Sequence, residues 1–549
     1  MYPAGTYPFR TNPTGMYPLR GIISSPLLPS LNFSSLSKAI TIVSNRSLNH
    51  LCLMKKSIFF FLFAAVVLLI ASCRRDEITT DSSAKVSFST DTLLFDTVFT
   101  TIGSVTKIVK VYNNNAQAIQ IANIDLAGGS QSQFRINVNG DNGTHFENVF
   151  LEAGDSLFIF VEVTVDPTNS NTPYVIEDQI LFNTNGNNQV VQLAAWGQDA
   201  YFHGGTTQNE LYVLPCGEIW NNDKPHVIYG IVAVDEGCNL TINEGTHVYV
   251  HAKSGLFVYK GSLNIAGSLN NEVVFEGDRL EADYATLPGQ WGIQYDVQIE
   301  TGVGPGIYSV TRGGIWIYQC NSSSINYAII KNGGMGIQVD TLGNTSATGY
   351  ALTVTNTKID NMSGVGLFAQ GSSIYGNNLL VTNCAESCAN LSVGGTYQFD
   401  NCTFANYWNN GNRTSPAFYL TNYYEDVNQN IQTRTLTNCL FRNCIMWGNN
   451  ATLGDFSEFV VDLKDPELQQ VQFKYCLVDT DVDVSDDGNS WESMVNNQSP
   501  YFCDYANGNF RVNQDSPRMI GGPFTFGPDI SGNNNGDWKG CFDYNGNCN

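Results

Sequence analysis

AIIKN (328–332), TKIDN (357–361), LLVTN (379–383), CTFAN (402–406) and CLFRN (439–443) are five versions of one short phrase. Each ends in asparagine: Asn332, Asn361, Asn383, Asn406 and Asn443, at intervals of 29, 22, 23 and 37 residues. Two residues before each asparagine stands Ile330, Ile359, Val381, Phe404 or Phe441. Four before stands Ala328, Thr357, Leu379, Cys402 or Cys439. In a strand, alternate side chains share a face, so these small or apolar columns mark an interior. Asparagine tolerates left-handed backbone, so it suits the point where the chain turns. Stacked on successive coils, the five asparagines are expected to form an amide ladder. CLVDT (476–480) continues both columns with Cys476 and Val478, and Thr480 takes the place of Asn.

The same repeat begins earlier. Leu240 and Ile242 recur as Leu263 and Ile265, and Val250 as Phe275, 23 and 25 residues later. A period in the twenties indicates a solenoid whose long intervals are insertions at one turn. Over roughly residues 225–520 the pattern resembles the pectin-lyase-like parallel β-helix family, which implies a right-handed solenoid. FEGDR (275–279) with PGQWGI (288–293) is similar to a turn of Bacteroidetes-type surface β-helix proteins. NGNFRVNQDSPRMIGG (507–522) resembles the segment that closes such helices. The β-helix is expected over 205–480, with a final coil and loop-rich cap over 481–549.

Residues 85–200 read differently. KIVKVYN (107–113), SLFIFVEVTV (156–165) and QILFNT (179–184) alternate apolar and polar residues between turn-rich segments. Short alternating strands of this kind predict a β-sandwich. LEAGDSLFIFVEVTVDP (151–167) resembles immunoglobulin-like domains of bacterial surface proteins, which implies a spacer or docking role. The fold class is therefore all-β: an immunoglobulin-like sandwich followed by a right-handed parallel β-helix with a C-terminal cap.

The N-terminal region carries an address. Met54 is followed by Lys55, Lys56, an apolar run of about 14 residues, and Ile70-Ala71-Ser72-Cys73. That run is too short to span a membrane, which takes about 20 residues. The four residues resemble a bacterial lipobox, which implies acylation of Cys73. Arg74-Arg75-Asp76-Glu77 resembles the signal that displays Bacteroidetes-type lipoproteins on the outer face of the outer membrane. Residues 54–72 are thus expected to be the signal peptide and 73–84 a tether. Residues 1–53 contain no acidic residue and are expected to be a mis-assigned, unstructured upstream start.

From Cys73 the chain has 477 residues, with all 50 acidic residues against 21 Lys and Arg. This charge disfavours nucleic acid and polyanionic glycans. Twelve cysteines remain after Cys52 and Cys73. Cys216 and Cys238 flank the start of the solenoid and are expected to pair. Cys402, Cys439 and Cys476 recur at intervals of 37 and are expected to stack inward as small apolar fillers.

Catalytic signals are sparse. The residues before each asparagine point outward: Lys331, Asp360, Thr382, Ala405 and Arg442. Lys331 and Asp360 are expected to be neighbours, as a surface ion pair or as base and metal ligand of a lyase. No histidine follows His251, and His247 and His251 are too far apart along one strand to share an ion. In DTDVDVSDDGNSWE (479–492), Asp481, Asp483, Asp487 and Glu492 could hold calcium, or could simply form a solvated acidic loop. The position that an EF-hand reserves for glycine is Asp486. No other cofactor is expected. Tyr407, Trp408, Tyr419, Tyr423 and Tyr424 offer either a sugar-stacking platform or the mini-core of their own insertion.

The expected role is non-catalytic adhesion, glycan binding or envelope structure. The expected partners are the membrane through the lipid anchor, a neutral polysaccharide, or another envelope protein. The competing function is a polysaccharide lyase or glycoside hydrolase acting on the β-helix face. It would require paired carboxylates, or a basic residue beside a calcium site.

Overall fold

A computed structural model describes residues 77–100, 103–168, 171–204, 211–301, 304–320, 322–340, 349–426, 428–449, 457–513, 515–517, 528–533, 538–543 and 548. Cys73 and the segments expected upstream of it lie outside the described residues.

The chain is all-β. Its first ten strands, between Ser87 and Gln198, form two five-stranded sheets packed face to face. Alternation along each strand puts Val109, Ile121, Phe134, Ile159, Phe182 and Leu193 into one buried core between them. This is the immunoglobulin-like sandwich.

The rest of the chain winds into a parallel β-helix. A typical coil contributes three short strands, as at Gly255–Tyr259, Ser262–Ala266 and Val273–Gly277. First and second strands stack into a 17-stranded sheet that bends between them, and third strands stack into an 11-stranded sheet. The inner columns are mainly apolar, with Ser323 and Thr357 as small polar members: Leu240 lies beside Leu263 and Ile242 beside Ile265. Phe275, however, pairs with Val248, and Val250 faces Gly277. The insertion after Gly277 also drives Trp291 inward, where its ring is buried. A Cβ on Gly314 would lie 2.1 Å from that ring, so only glycine fits there.

The asparagine phrase needs one correction. Ala328, Thr357, Leu379 and Cys402 share a column at the start of the third strands, as do Ile330, Ile359, Val381 and Phe404 two residues on. The next members are not in CLFRN. Thr403 pairs with Ile445 and Phe404 with Met446, so CIMWG (444–448) continues this column, followed by Cys476 and Val478. Cys439–Arg442 is a second strand, paired with Asp400 and its neighbours and with Val471–Lys474. The inward cysteine column is therefore Cys402, Cys444 and Cys476, with Cys439 elsewhere in the core.

The misplacement has a physical source, because two corners of the coil use asparagine. At the corner after the second strand, Asn356, Asn378, Asn401 and Asn443 all have left-handed backbone, with φ of 48°, 52°, 52° and 52°. Asn378 donates to Asn356 at 2.9 Å and Asn443 to Asn401 at 3.2 Å. At the expected corner, Asn332, Asn361 and Asn383 are left-handed as well. There only Asn361 reaches its neighbour, donating to Asn332 at 2.8 Å, while Asn383 donates to Asp360. Asn406 turns aside to Glu386 O, at 2.7 Å.

The loop-rich C-terminal cap lies along the outer face of the third strands. Phe502, Phe510, Ile530 and Phe542 bury Leu380, Ala405, Ile445 and Leu477 there. Cys503 and Cys548 are joined as a disulfide within this cap.

Candidate functional site

Outward residues of the first strands form two rows parallel to the solenoid axis. Phe257, Trp316, Gln338, Phe368, Asn390 and Tyr419 occupy one row, in register across successive coils. Tyr259, Tyr318, Asp340, Gln370, Ser392, Thr421 and Asp462 occupy the second. Phe257 packs on Trp316 with ring centroids 4.6 Å apart, and Tyr259 stacks on Tyr318 at 5.9 Å.

The middle of this face is covered. The insertion 278–314 contains an antiparallel hairpin, Gln294–Thr301 with Gly304–Thr311. Just after it, Gly313 N donates to Gln338 Oε1 at 2.9 Å, and the Arg312 guanidinium sits 5.6 Å from the Trp316 ring centre. Trp316 is 6% exposed, Asp340 6% and Gln338 0%. On one side Phe257, Tyr259 and Tyr318 are half-buried. On the other, Phe368, Gln370, Asn390, Ser392 and Tyr419 are half-buried too.

Asp340 is the acidic centre of the covered part. Trp316 Nε1 and Gln338 Nε2 both donate to its Oδ2, each at 2.8 Å. Its Oδ1 is buried without a hydrogen-bond partner among the described residues. Burial raises the carboxyl pKa to about 6, against the hydrogen bonds and the more distant Arg312, which act to lower it.

The residues singled out from sequence are scattered over other surfaces. Tyr407 stacks on Tyr505 at 4.0 Å and belongs to the cap core, and Trp408 is 8% exposed. These two are therefore packing residues rather than an open platform. Tyr423 donates to Asp462 and lies under the Lys464 ammonium, and Tyr424 stands on the short hairpin Tyr423–Glu425 with Ile431–Thr433. Of the five aromatics, Tyr419 alone lies on the first-strand face.

The acidic loop does not converge on an ion. Asp487 accepts from the backbone of Asn489, Ser490 and Trp491, Asp483 accepts from Ser485, and Glu492 pairs with Lys474 at 2.9 Å. Asp481 makes its contacts with Ser457 instead. Among the described residues no group of three His, Cys, Asp or Glu side chains is placed to hold a metal.

Lys331 lies beside Asp360 in register, but its ammonium pairs with Glu276 at 2.9 Å on the preceding coil. Asp360 instead accepts from Thr382 and Asn383, at 2.6 and 2.9 Å. Thr382 and Ala405 are buried. Arg442 belongs to the second strands, where it forks onto Asp400 at 2.6 and 2.8 Å. Lys331 and Arg442 are therefore on different sheets. Cys216 and Cys238 are joined as a disulfide, with Cα atoms 4.8 Å apart.

No protein-family model and no curated protein sequence matches this chain. Among solved structures, the catalytic unit of a thermostable GH87 α-1,3-glucanase from Streptomyces thermodiastaticus strain HF3-3 is 11% identical. That match covers 72% of this chain and 74% of the glucanase, with a TM-score of 0.21. A family 123 glycoside hydrolase from Clostridium perfringens is 9% identical over 25% of this chain and 30% of its own, with a TM-score of 0.18. A PapD-like domain of human CEP192 is 11% identical over 23% of this chain and 94% of its own, with a TM-score of 0.15. Similarity this slight carries nothing about activity to the present chain.

Proposed function

We propose that this chain is a lipid-anchored protein of the outer-membrane surface that binds a neutral glycan on its first-strand face without cleaving it. The observation that carries the binding reading is the register of Phe368, Asn390 and Tyr419, with Gln370 and Ser392 alongside. Rings offer an apolar face to the CH surface of a sugar, and amides and hydroxyls match its hydroxyl groups. With about 4.8 Å between coils, Phe368 and Tyr419 stand roughly 10 Å apart. That distance is near the length of two sugar rings in an extended chain. Anchoring is supported by the apolar run and the Ile70-Ala71-Ser72-Cys73 motif. Lack of cleavage is supported by the composition of the two rows, where the carboxylates are Asp340 and Asp462, four coils or roughly 19 Å apart and too distant to act as one catalytic pair.

The test is a glycan array probed with the full chain, beside lyase and hydrolase assays on the glycans retained. Retention of a neutral polysaccharide without product formation is the expected result. Mass spectrometry of the mature N-terminus should find acylated Cys73, and a product cleaved elsewhere would remove the anchoring part of the proposal.

One observation favours a second reading, cleavage of the bound glycan. Asp340 has the raised pKa of a general acid and lies between two aromatic patches. Product release that disappears in Asp340→Asn would establish this reading in place of the first.

A further inference from the structure

A second site lies where the sandwich meets the first coils of the β-helix. Phe99 of the sandwich packs on Tyr249 of the solenoid, with ring centroids 4.9 Å apart. Beside this contact a cleft of about 230 Å³ opens between the two parts. Cavities at such junctions are favoured places for small ligands.

Successive coils place Tyr229, His251 and Asp278 one above another on the cleft wall. His251 Nδ1 bonds to Asp278 at 2.6 Å, and the Tyr229 ring stacks on the imidazole at 4.0 Å. A carboxylate at Nδ1 holds a proton there, so in the neutral imidazole Nε2 is the acceptor. Nε2 has no hydrogen-bond partner among the described residues. The dyad is thus oriented and mostly buried.

The remaining polar lining narrows the ligand class. Arg279 forks onto Glu281 at 3.0–3.1 Å, and Lys107 donates to Leu94 O at 2.7 Å and lies 4.0 Å from Asp96. Both cations are therefore committed, and neither is free to neutralise an anionic ligand. What the cleft offers is His251 Nε2 and the half-exposed Asp96 carboxylate, with Glu281 taken up by Arg279, beside apolar wall from Val98, Val105 and Leu280. A ligand rich in hydroxyl donors with an apolar CH face matches this lining.

We infer that the junction cleft binds one neutral sugar unit, with one hydroxyl donating to His251 Nε2 and another to Asp96 on the sandwich side. The unit could be a free monosaccharide or the end of a chain, and both present the same hydroxyls. This inference does not depend on glycan binding at the first-strand face.

Titration calorimetry of the full chain with a panel of methyl hexopyranosides, free hexoses and short neutral oligosaccharides tests it. Saturable binding of at least one methyl hexopyranoside is expected. His251→Ala should weaken that binding at least tenfold, and Asp96→Asn, on the exposed sandwich side, severalfold. Tyr505→Phe, in the cap, should leave it unchanged. Binding by oligosaccharides but not by the monosaccharide unit would restrict the ligand to chain ends, still within this cleft if His251→Ala abolishes it. If His251→Ala unfolds, Asp96→Asn alone decides. Absence of saturable binding across the panel would overturn the inference. So would binding that neither cleft variant alters, or binding that Phe368→Ala removes, since it would then belong to the other face.

Discussion

Trp316 Nε1 donates to Asp340 Oδ2 at 2.8 Å, and the same oxygen accepts from Gln338 while Oδ1 has no partner among the described residues. A buried carboxylate satisfied on one side only is costly when ionised. Its pKa of about 6 lies above the ordinary 3.8. Between those values the folded chain holds a proton that the unfolded chain has released. Stability attributable to this group is therefore full below about pH 4 and is lost as pH rises to about 6. The loss is on the order of 3 kcal/mol. Asp340→Asn should raise the denaturation midpoint at pH 7.5 and leave it nearly unchanged at pH 4. Equal effects at both pH values would show that Asp340 is not protonated in the fold.

His203 and His226 predict the opposite slope. His203 Nε2 and His226 Nδ1 are 2.8 Å apart, and both rings stack on buried Trp220 at the start of the solenoid. Burial lowers their pKa values from 6.5 to about 3 and about 4, respectively. As pH falls below 6.5 the unfolded chain takes up protons first. The stabilisation these rings retain by staying neutral is complete above 6.5 and is lost progressively toward pH 4 and then 3. Two imidazoles that remain neutral at pH 5 in an NMR titration, with unfolding that steepens below that pH, are the expected result. Titration of all histidines near 6.5 would contradict it.

These two groups also show what sequence could and could not disclose. The inner columns were legible because burial forces apolar residues at every second position, whatever the coil. Corner asparagines were legible as a class, but Asn443 was assigned to the wrong corner because both corners demand the same left-handed residue. The outward rows were hidden for a different reason. Which residues face each other across coils depends on the lengths of the insertions near 278–314 and 341–351, and no local pattern encodes that. Asp340 looks like any strand-end carboxylate until Arg312 and Gly313 fold over its neighbours. Tyr407 was read with its own insertion, yet its partner Tyr505 is nearly a hundred positions away in the cap.

The second asparagine corner can be tested by substitution. Asn401 has φ 52°, is fully buried, and accepts from Asn443 at 3.2 Å. Asn401→Ala loses the hydrogen bond and places a Cβ residue in left-handed backbone, costing about 2 kcal/mol. Asn401→Gly loses the bond but meets no such strain, so it should be the milder change by about 1 kcal/mol. Urea denaturation of the two variants compares them directly. A glycine variant less stable than the alanine variant would mean that backbone conformation is not what selects asparagine at this corner.

The first-strand face makes the functional prediction. Phe368 and Tyr419 stand two coils apart with Asn390 between them, so an extended glycan resting on both must be long enough to reach. Affinity should rise with chain length until the ligand spans both rings, and then level off. Truncating a stacking ring to alanine typically removes about 1–2 kcal/mol, so Phe368→Ala or Tyr419→Ala should weaken long ligands roughly tenfold. Short ligands that rest on one ring should respond to one substitution and ignore the other. Tyr407→Ala offers the contrast, because its ring lies in the cap core against Tyr505 and should lower stability without changing glycan affinity. Binding measured across a length series for these three variants separates the two surfaces. Loss of affinity in Tyr407→Ala with none in Phe368→Ala would move the glycan site to the cap side of the β-helix.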